Sequence, residues 1–168
     1  VDLYDVIDVE ITGTMHAYNS SDEDWMGFVM GYQGPFDTLS YSDSIDCDFL
    51  LFDWKQANES PSNCPGTGCA EEGYTLSNFN GKLDHSNSSS NPLSNKSAFF
   101  YHNPNPPVYD TLATRYGSTE GWADHVVNDF KVLYTRTNTT IIVNADTIFN
   151  INGTFKPGRF GIYNADFN

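Results

Sequence analysis

Residues 130–151 read FKVLYTRTNTTIIVNADTIFNI, and this stretch decides the fold class. Its first residues alternate, with Phe130, Val132 and Tyr134 on one side of an extended chain, as in a strand with one buried face. Two further β-rich runs follow, and the turn-forming residues Asn144-Ala-Asp146 lie between them. The stretch therefore predicts consecutive antiparallel strands, including a hairpin.

Comparable runs occur along the rest of the chain. They lie at residues 7–11, 25–33, 49–56, 98–102 and 158–163. Together with the hairpin region they give about eight short strands, separated by turn residues and without a sustained helical period. We predict one all-β domain over residues 1–168, folded as a β-sandwich.

A long polar stretch interrupts this pattern. Residues 57–98 are dominated by Asn, Ser, Pro and Gly, which favour turns and loops. We predict a surface-exposed loop excursion over these residues, with one short strand from Tyr74 to Leu76.

The composition excludes several classes of function. The chain has 168 residues and carries 22 acidic against 8 basic side chains, for a formal net charge of −14. The Lys and Arg residues are scattered singly from Lys55 to Arg159, so we expect no basic face for nucleic acid. With 39% hydrophobic residues the chain can form a core, yet no apolar run approaches the roughly 18 residues of a membrane span. Neither nucleic-acid binding nor membrane insertion is expected.

The cysteines indicate an oxidising compartment. Cys64 and Cys69 lie in Cys-Pro-Gly-Thr-Gly-Cys, a turn-rich loop that can bring two sulfurs together, and we predict a disulfide between them. Structural zinc is the alternative, but it needs four ligands, and no second Cys pair or His cluster follows. Cys47 is left over and is expected to be a buried thiol, with exchange into the loop pair left open.

Potential glycosylation sites point to the same compartment. Asn-x-Ser/Thr tripeptides without a middle proline occur at Asn19, Asn58, Asn87, Asn95, Asn138 and Asn152. Chance would give about three in a chain of this Asn, Ser and Thr content. An Asn-rich surface without sugar is the alternative, and we predict a secreted, extracellular glycoprotein with these residues on loops.

Three segments carry a resemblance to a known family. In this order they resemble the C-terminal lectin-like domain of thrombospondins and related bacterial and protist modules: DEDWMGFVMGYQ at residues 22–33, FDWKQ at 52–56 and GRFGIY at 158–163. Residues 121–134 and 140–149 also follow the family's order, so the resemblance spans most of residues 7–164.

The resemblance implies a concanavalin-like jelly-roll β-sandwich used in extracellular adhesion and matrix contacts. This chain departs from the family in its longer loop, Asn58 to Asn95. It also departs at its end, because family members continue past residues 158–163 with another alternating strand. A sandwich without that strand exposes unpaired backbone groups, so we expect a neighbouring subunit to supply one in trans, with Val1 to Ile11 as the donor.

The resemblance also implies bound calcium. Asp22, Glu23 and Asp24 precede a predicted strand, and carboxylates are hard ligands of the kind that calcium prefers. From the residues alone a solvated acidic turn is an open alternative, because three carboxylates cannot fill a shell of about six to eight ligands. The resemblance implies that Asp22 and Asp24 bind calcium together with backbone carbonyls, and Asp124 or Asp129 is the candidate for a further carboxylate.

Catalysis is not expected from these motifs. Glycoside hydrolases need two carboxyls facing across a cleft, and the Glu residues do not form the Glu-x-Asp-x-x-Glu spacing found on this fold. The four His residues have no Ser or Cys partner in a recognised motif, so we expect surface or packing roles for them. Asp53 and Lys55 share a strand face and are expected to form a cross-strand or rim pair of small energetic weight.

The sequence therefore predicts a secreted, calcium-binding, glycosylated, lectin-like adhesion or assembly module without catalysis. Its sharper form is the protomer of a homo-oligomer or filament built by strand donation between copies. The alternative is a monomeric carbohydrate-binding domain of a larger adhesin, with glycans or matrix proteins as partners. A polysaccharide-cleaving enzyme is the third interpretation.

Overall fold

The computed structural model describes residues 5–18, 24–34, 45–59, 70–83, 96–102 and 108–165. These residues form nine strands and one π-helical turn, Lys96–Phe100. Among them, no helix is long and apolar enough to cross a membrane. The strands are β1 (Val9–His16), β2 (Trp25–Gln33), β3 (Ile45–Lys55), β4 (Gly73–Leu83), β5 (Tyr109–Tyr116), β6 (Val127–Tyr134), β7 (Asn138–Val143), β8 (Asp146–Asn152) and β9 (Arg159–Ala165).

The strands form two antiparallel sheets that pack face to face. The four-stranded sheet has the order β1-β6-β7-β8, and the five-stranded sheet has the order β5-β4-β3-β2-β9. The predicted fold class, a jelly-roll β-sandwich, is confirmed. The predicted hairpin is confirmed as β7–β8, and its turn residues Asn144 and Ala145 have φ of 50° and 67°, as a two-residue hairpin turn requires.

Aromatic side chains dominate the main core between the sheets. The ring of Phe28 stacks on those of Phe52 and Phe130, with centroids 4.6 and 5.2 Å apart. This contact joins the two sheets, because Phe130 belongs to β6 and the other two residues to β2 and β3. Alternating residues of each strand therefore point into one shared core, as the period-two pattern predicts.

The predicted loop excursion is partly wrong. Residues 73–83 form β4, an 11-residue strand between β3 and β5, and not one short strand at Tyr74 to Leu76. Tyr74 and Leu76 face the main core, whereas Thr75 and Ser77 are buried on the opposite face. The run 98–102, predicted as a strand, is instead part of the π-helical turn and the residues that follow it.

The five-stranded sheet is covered on its outer face, which points away from the four-stranded sheet. Residues 96–102, which we call the cover, pack there. Ala98 lies in a second apolar cluster with Phe49 and Phe79, whose rings are 5.1 Å apart. Phe100 and Tyr101 belong to a third cluster on the same side. The central strands are consequently buried on both faces.

The cover overturns the prediction of an exposed Asp53–Lys55 pair. Both side chains have no exposed area. Asp53 lies 2.9 Å from His102, and the Lys55 ammonium lies 3.1 Å from Glu59 and 5.1 Å from the centre of the Phe100 ring. The two charges thus have separate partners, because the cover supplies a histidine to one and an aromatic ring to the other.

Candidate functional site

The two open sides of the sandwich differ. On one side β5 and β8 are joined by an ion pair between Arg115 and Asp146, whose atoms are 2.6 Å apart. On the other side β1 and β9 are the outer strands. There a single bridge joins the segments that precede them, with the Val6 amide donating to the Gly158 carbonyl at 2.7 Å and the reverse bond at 3.3 Å.

A cleft of about 390 Å³ lies between β1 and β9. In the part of the chain that the structure describes, β1 pairs only with β6, and β9 pairs only with β2. Each strand therefore turns a row of backbone groups without a strand partner toward this side. Such an edge is the natural place for an additional strand to pair. The cleft is lined by His16, Tyr18, Asp24, Met26, Trp122 and Ile162, among others.

Ile162 shows that the main core is open at the cleft. It lies two residues after Phe160, on the same face of β9, and Phe160 packs against the main core. Ile162 is nevertheless 71% exposed. The five-stranded sheet thus extends past the four-stranded sheet by one strand, and the inner face of β9 lacks an opposing strand among the described residues.

More apolar surface surrounds this opening. Val126 and Val127 are 44% and 57% exposed, and Val127 pairs with His16 of β1. Tyr18 is exposed, and its ring centre lies 4.2 Å from that of His16. Of these residues Tyr18 lines the cleft itself, whereas Val126 and Val127 are not among its lining residues.

A polar atom at the same place lacks a partner. The Nε2 atom of His16 is buried, and the described chain offers it no hydrogen bond. A buried nitrogen of this kind costs free energy unless something pairs with it. An occupant of the cleft with a backbone amide or carbonyl would supply that partner.

The predicted calcium ligands meet this cleft in part. Asp24 lines it, and its backbone carbonyl accepts a hydrogen bond from the Gln56 amide at 3.3 Å. Asp124 is half-buried and lies two residues after Trp122, which also lines the cleft. Asp22 lies outside the described residues, and within them no three His, Cys, Asp or Glu residues form a metal cluster. The calcium site stays a prediction.

The alternative calcium ligand lies elsewhere. Asp129 belongs to β6, and its backbone amide donates to the Asn144 side chain at 3.0 Å. Its neighbours are Thr12, Thr14 and Lys131 along a shallow surface groove, and this groove is not the cleft that Asp24 lines.

The cysteine predictions are tested only for Cys47. It is buried in β3 as a free thiol, as expected. Burial, and then the charges of Asp46 and Asp48, raise the pKa of this thiol to about 12, so it is unreactive at neutral pH. Cys64 and Cys69 lie outside the described residues.

Half of the predicted glycosylation sites are described. Asn58 and Asn152 are exposed, whereas Asn138 is partly buried. Asn138 begins β7 and Asn152 ends β8, so these two lie at strand ends and not within loops as predicted. The remaining sites, Asn19, Asn87 and Asn95, lie outside the described residues.

A second polar group lies beneath the cover and was not foreseen as a unit. His102 Nε2 lies 2.9 Å from Asp53 Oδ2, and its Nδ1 lies 3.5 Å from the Thr75 hydroxyl and 3.4 Å from the Tyr116 hydroxyl. Burial raises the pKa of Asp53, while His102 acts to lower it. Hydroxyl, imidazole and carboxylate occur together in nucleophilic catalysis. Here Thr75 has no exposed area, and the group links the cover to the sheet.

Sequence reasoning missed Ile162 and His16 as site residues. A usable pattern was present for Ile162. It lies two residues after Phe160 in the last strand, and alternation places both side chains on the same face. The partner of Asp53 carried no such pattern, because His102 lies 49 residues away along the chain.

Comparison with protein-family models, with curated proteins and with solved structures gave no match. The resemblance to the thrombospondin lectin-like domain therefore rests on the quoted motifs alone.

Proposed function

We propose that this protein is a non-catalytic, extracellular, lectin-like assembly module whose copies join by strand donation. An extended segment of one copy would pair with the free edge of β1 in the next and lie opposite β9. The exposed inward position of Ile162 carries this proposal, because an added strand there would cover it and complete five strands on each side.

The energetics favour an occupied cleft. Burying an isoleucine side chain stabilises by about 1.5–3 kcal/mol, and each added hydrogen bond contributes about 0.5–1.5 kcal/mol net. The strand would also place backbone groups near the unpaired Nε2 atom of His16. A donated strand thus combines backbone pairing with the filling of an apolar position, as in other cases of strand addition.

The donor differs from the predicted one in part. Val9 to Ile11 pair with β6 of their own chain, and Val6 pairs with Gly158. These residues already complete a sheet, so we propose that the donor is another extended segment of a second copy. A contact of this head-to-tail kind need not close, so repeated copies can build a filament.

Calcium has a defined role in this proposal. Each copy carries a formal net charge of −14, so identical copies repel one another. Asp24 lies at the cleft, and with Asp22 and Asp124 it would bind calcium where two copies meet. The cation would lower the repulsion, so assembly depends on calcium.

The experiment is native mass spectrometry of the full chain in calcium-containing buffer. We expect a ladder of oligomers for the wild type and its loss for Ile162→Ser. The matched control is Leu112→Ser, an exposed apolar position on β5 at the other side of the sandwich, which should keep the ladder. A monomeric wild type, or equal ladders for both variants, would overturn the proposal.

A second function is supported by Tyr18. Its ring is 75% exposed at the cleft, where Asp24 and Asn164 also lie, and an exposed aromatic face beside polar groups can stack on a sugar. This favours the monomeric carbohydrate-binding domain. Glycan-array binding by a monomer that Tyr18→Ala abolishes would establish it in place of assembly.

A further inference from the structure

Two potential glycosylation sites lie side by side on the hairpin formed by β7 and β8. Asn138 is directly opposite Asn152 in the strand register. Both belong to Asn-x-Thr tripeptides, completed by Thr140 and Thr154. Their sequence patterns are equivalent, so only the structure can distinguish them.

The side-chain amide of Asn138 is fully used by the fold. Its nitrogen donates to Asn150 Oδ1 at 2.7 Å, to Asn152 Oδ1 at 3.1 Å and to the Ile151 carbonyl at 3.2 Å. Its oxygen accepts from the Thr140 hydroxyl at 2.8 Å. A sugar would take one of the two hydrogens on this nitrogen, and the hairpin would lose part of this set of bonds.

The side-chain amide of Asn152 has the opposite character. Its oxygen accepts the bond from Asn138, and its nitrogen has no acceptor in the described part of the chain. Gly153 and Thr154 are exposed as well, so the whole tripeptide faces solvent. A sugar on this nitrogen removes no hydrogen bond and needs no rearrangement of the hairpin.

We infer that Asn152 carries an N-linked glycan and that Asn138 does not. The sugar donor is an oligosaccharide on a polyprenyl diphosphate, used by a transferase of the secretory pathway. The Asn152 amide nitrogen forms a bond to the anomeric carbon and loses a proton. The bond from that carbon to the diphosphate oxygen breaks, and the polyprenyl diphosphate leaves with the electron pair.

A glycan on Asn152 would affect how copies assemble, and this step rests on the proposed function. β8 is an outer strand of the four-stranded sheet, and Asn152 is its last residue. A bulky, hydrated sugar there obstructs the approach of another strand to β8. Strand donation to the four-stranded sheet is then confined to its other outer strand, β1.

The test is glycopeptide mass spectrometry of the full chain secreted from a eukaryotic host that also glycosylates a co-expressed reference glycoprotein. We expect sugar on Asn152 in most copies and unmodified Asn138. Thr154→Ala should remove the sugar at Asn152, and the matched variant Thr154→Ser should keep it. An unmodified Asn152, or sugar on Asn138 to a similar extent, would overturn the inference.

Self-association then tests the obstruction of β8 separately. Sedimentation of Thr154→Ala should show larger species than Thr154→Ser, because the sugar no longer covers β8, and equal profiles would overturn that step. Sugar on Asn152 in a protein that never assembles would remove the proposed function and leave the modification site standing. Assembly through Ile162 together with an unmodified Asn152 would support the proposed function and overturn the modification site.

Discussion

Gly27 allows the central strands of the five-stranded sheet to approach closely. A Cβ atom at this position would lie 2.0 Å from the Phe52 carbonyl oxygen and 2.9 Å from the Asp53 Cα atom. Gly27 also lies between Asp53 and Tyr163 in the strand register, on the outer face. The absence of a side chain at Gly27 therefore allows the two backbones to pack closely. The atoms that a Cβ would meet belong to the backbone of β3, so they cannot move aside as a flexible side chain could.

We expect Gly27→Ala to lower the free energy of unfolding by about 2 kcal/mol or more, because the backbone of β3 must move to admit the methyl group. Urea unfolding followed by tryptophan fluorescence measures this. The control is Gly117→Ala, whose Cβ would meet only the Glu120 side chain at 3.2 Å and whose effect should be small. Equal losses in both variants would show that the close approach is not what Gly27 provides.

Residue identity predicted the core better than it predicted polar partners. Phe130, Val132 and Tyr134 are all buried, as their alternation requires. Asp53 and Lys55 were assigned to a rim, because charged side chains are rarely buried. Their burial depends on a cover that is distant in sequence, and nothing next to them in the chain records it.

At the scale of elements, the last residue of the cover makes a buried polar contact with the sheet. Its last residue, His102, has a φ of 47°, an unfavourable backbone conformation for a residue with a side chain. The imidazole compensates by contacting Asp53 and packing edge-on against Trp25, with ring centres 4.5 Å apart. His102 therefore anchors the end of the cover beside Trp25.

We expect His102→Ala to destabilise the protein by about 3 kcal/mol, because the buried Asp53 carboxylate loses the partner that the structure shows. Hydrogen exchange should report faster exchange over residues 96–102 together with the loss of stability. His125→Ala is the matched control, since His125 also has a positive φ, 62°, but is exposed. Similar losses in the two variants would assign the effect to backbone conformation instead of the Asp53 contact.

Element boundaries were predictable where a turn defined them. The β7–β8 hairpin was found from Asn144 and its neighbours, because local turn chemistry fixes such a connection. β4 was largely missed, because Thr75 and Ser77 are small polar residues that resemble a loop yet are buried in the sheet. The π-helical turn was mistaken for a strand, because a short apolar run does not distinguish the two.

At the scale of the whole molecule, buried phenols couple the fold to alkaline pH. Tyr74, Tyr116 and Tyr134 each have a pKa raised to about 12, with burial as the largest cause. In the unfolded chain a tyrosine ionises near pH 10. The unfolded state therefore releases protons first as the pH rises.

The stability that these tyrosines contribute should be fully present below about pH 10. It should fall between about pH 10 and pH 12, because the phenols of the unfolded chain ionise over that range. Urea unfolding at stepped pH measures this. Tyr74→Phe should make the decline shallower, because it removes one raised pKa. A decline that Tyr74→Phe does not alter would contradict the assignment.

The sandwich itself followed from the sequence, whereas the unequal sheets did not. Alternation and turns predict strands, and strands with one apolar face must pack in pairs of sheets. The number of strands in each sheet depends on long-range pairing. In the pairing of β9 with β2, for example, Gly27 and its partner Tyr163 are 136 residues apart along the chain. Ile162 at the open position is the visible result.

The bridge between Val6 and Gly158 also determines how the molecule responds to tension. A force that pulls residues 5 and 165 apart enters at the first residue before this bridge. It meets two hydrogen bonds there, at 2.7 and 3.3 Å, before it reaches the eight-residue pairing of β1 with β6. At the residue 5 end we expect this two-bond bridge to rupture before the longer pairing of β1 with β6, whereas at residue 165 the force acts directly on the pairing of β9 with β2.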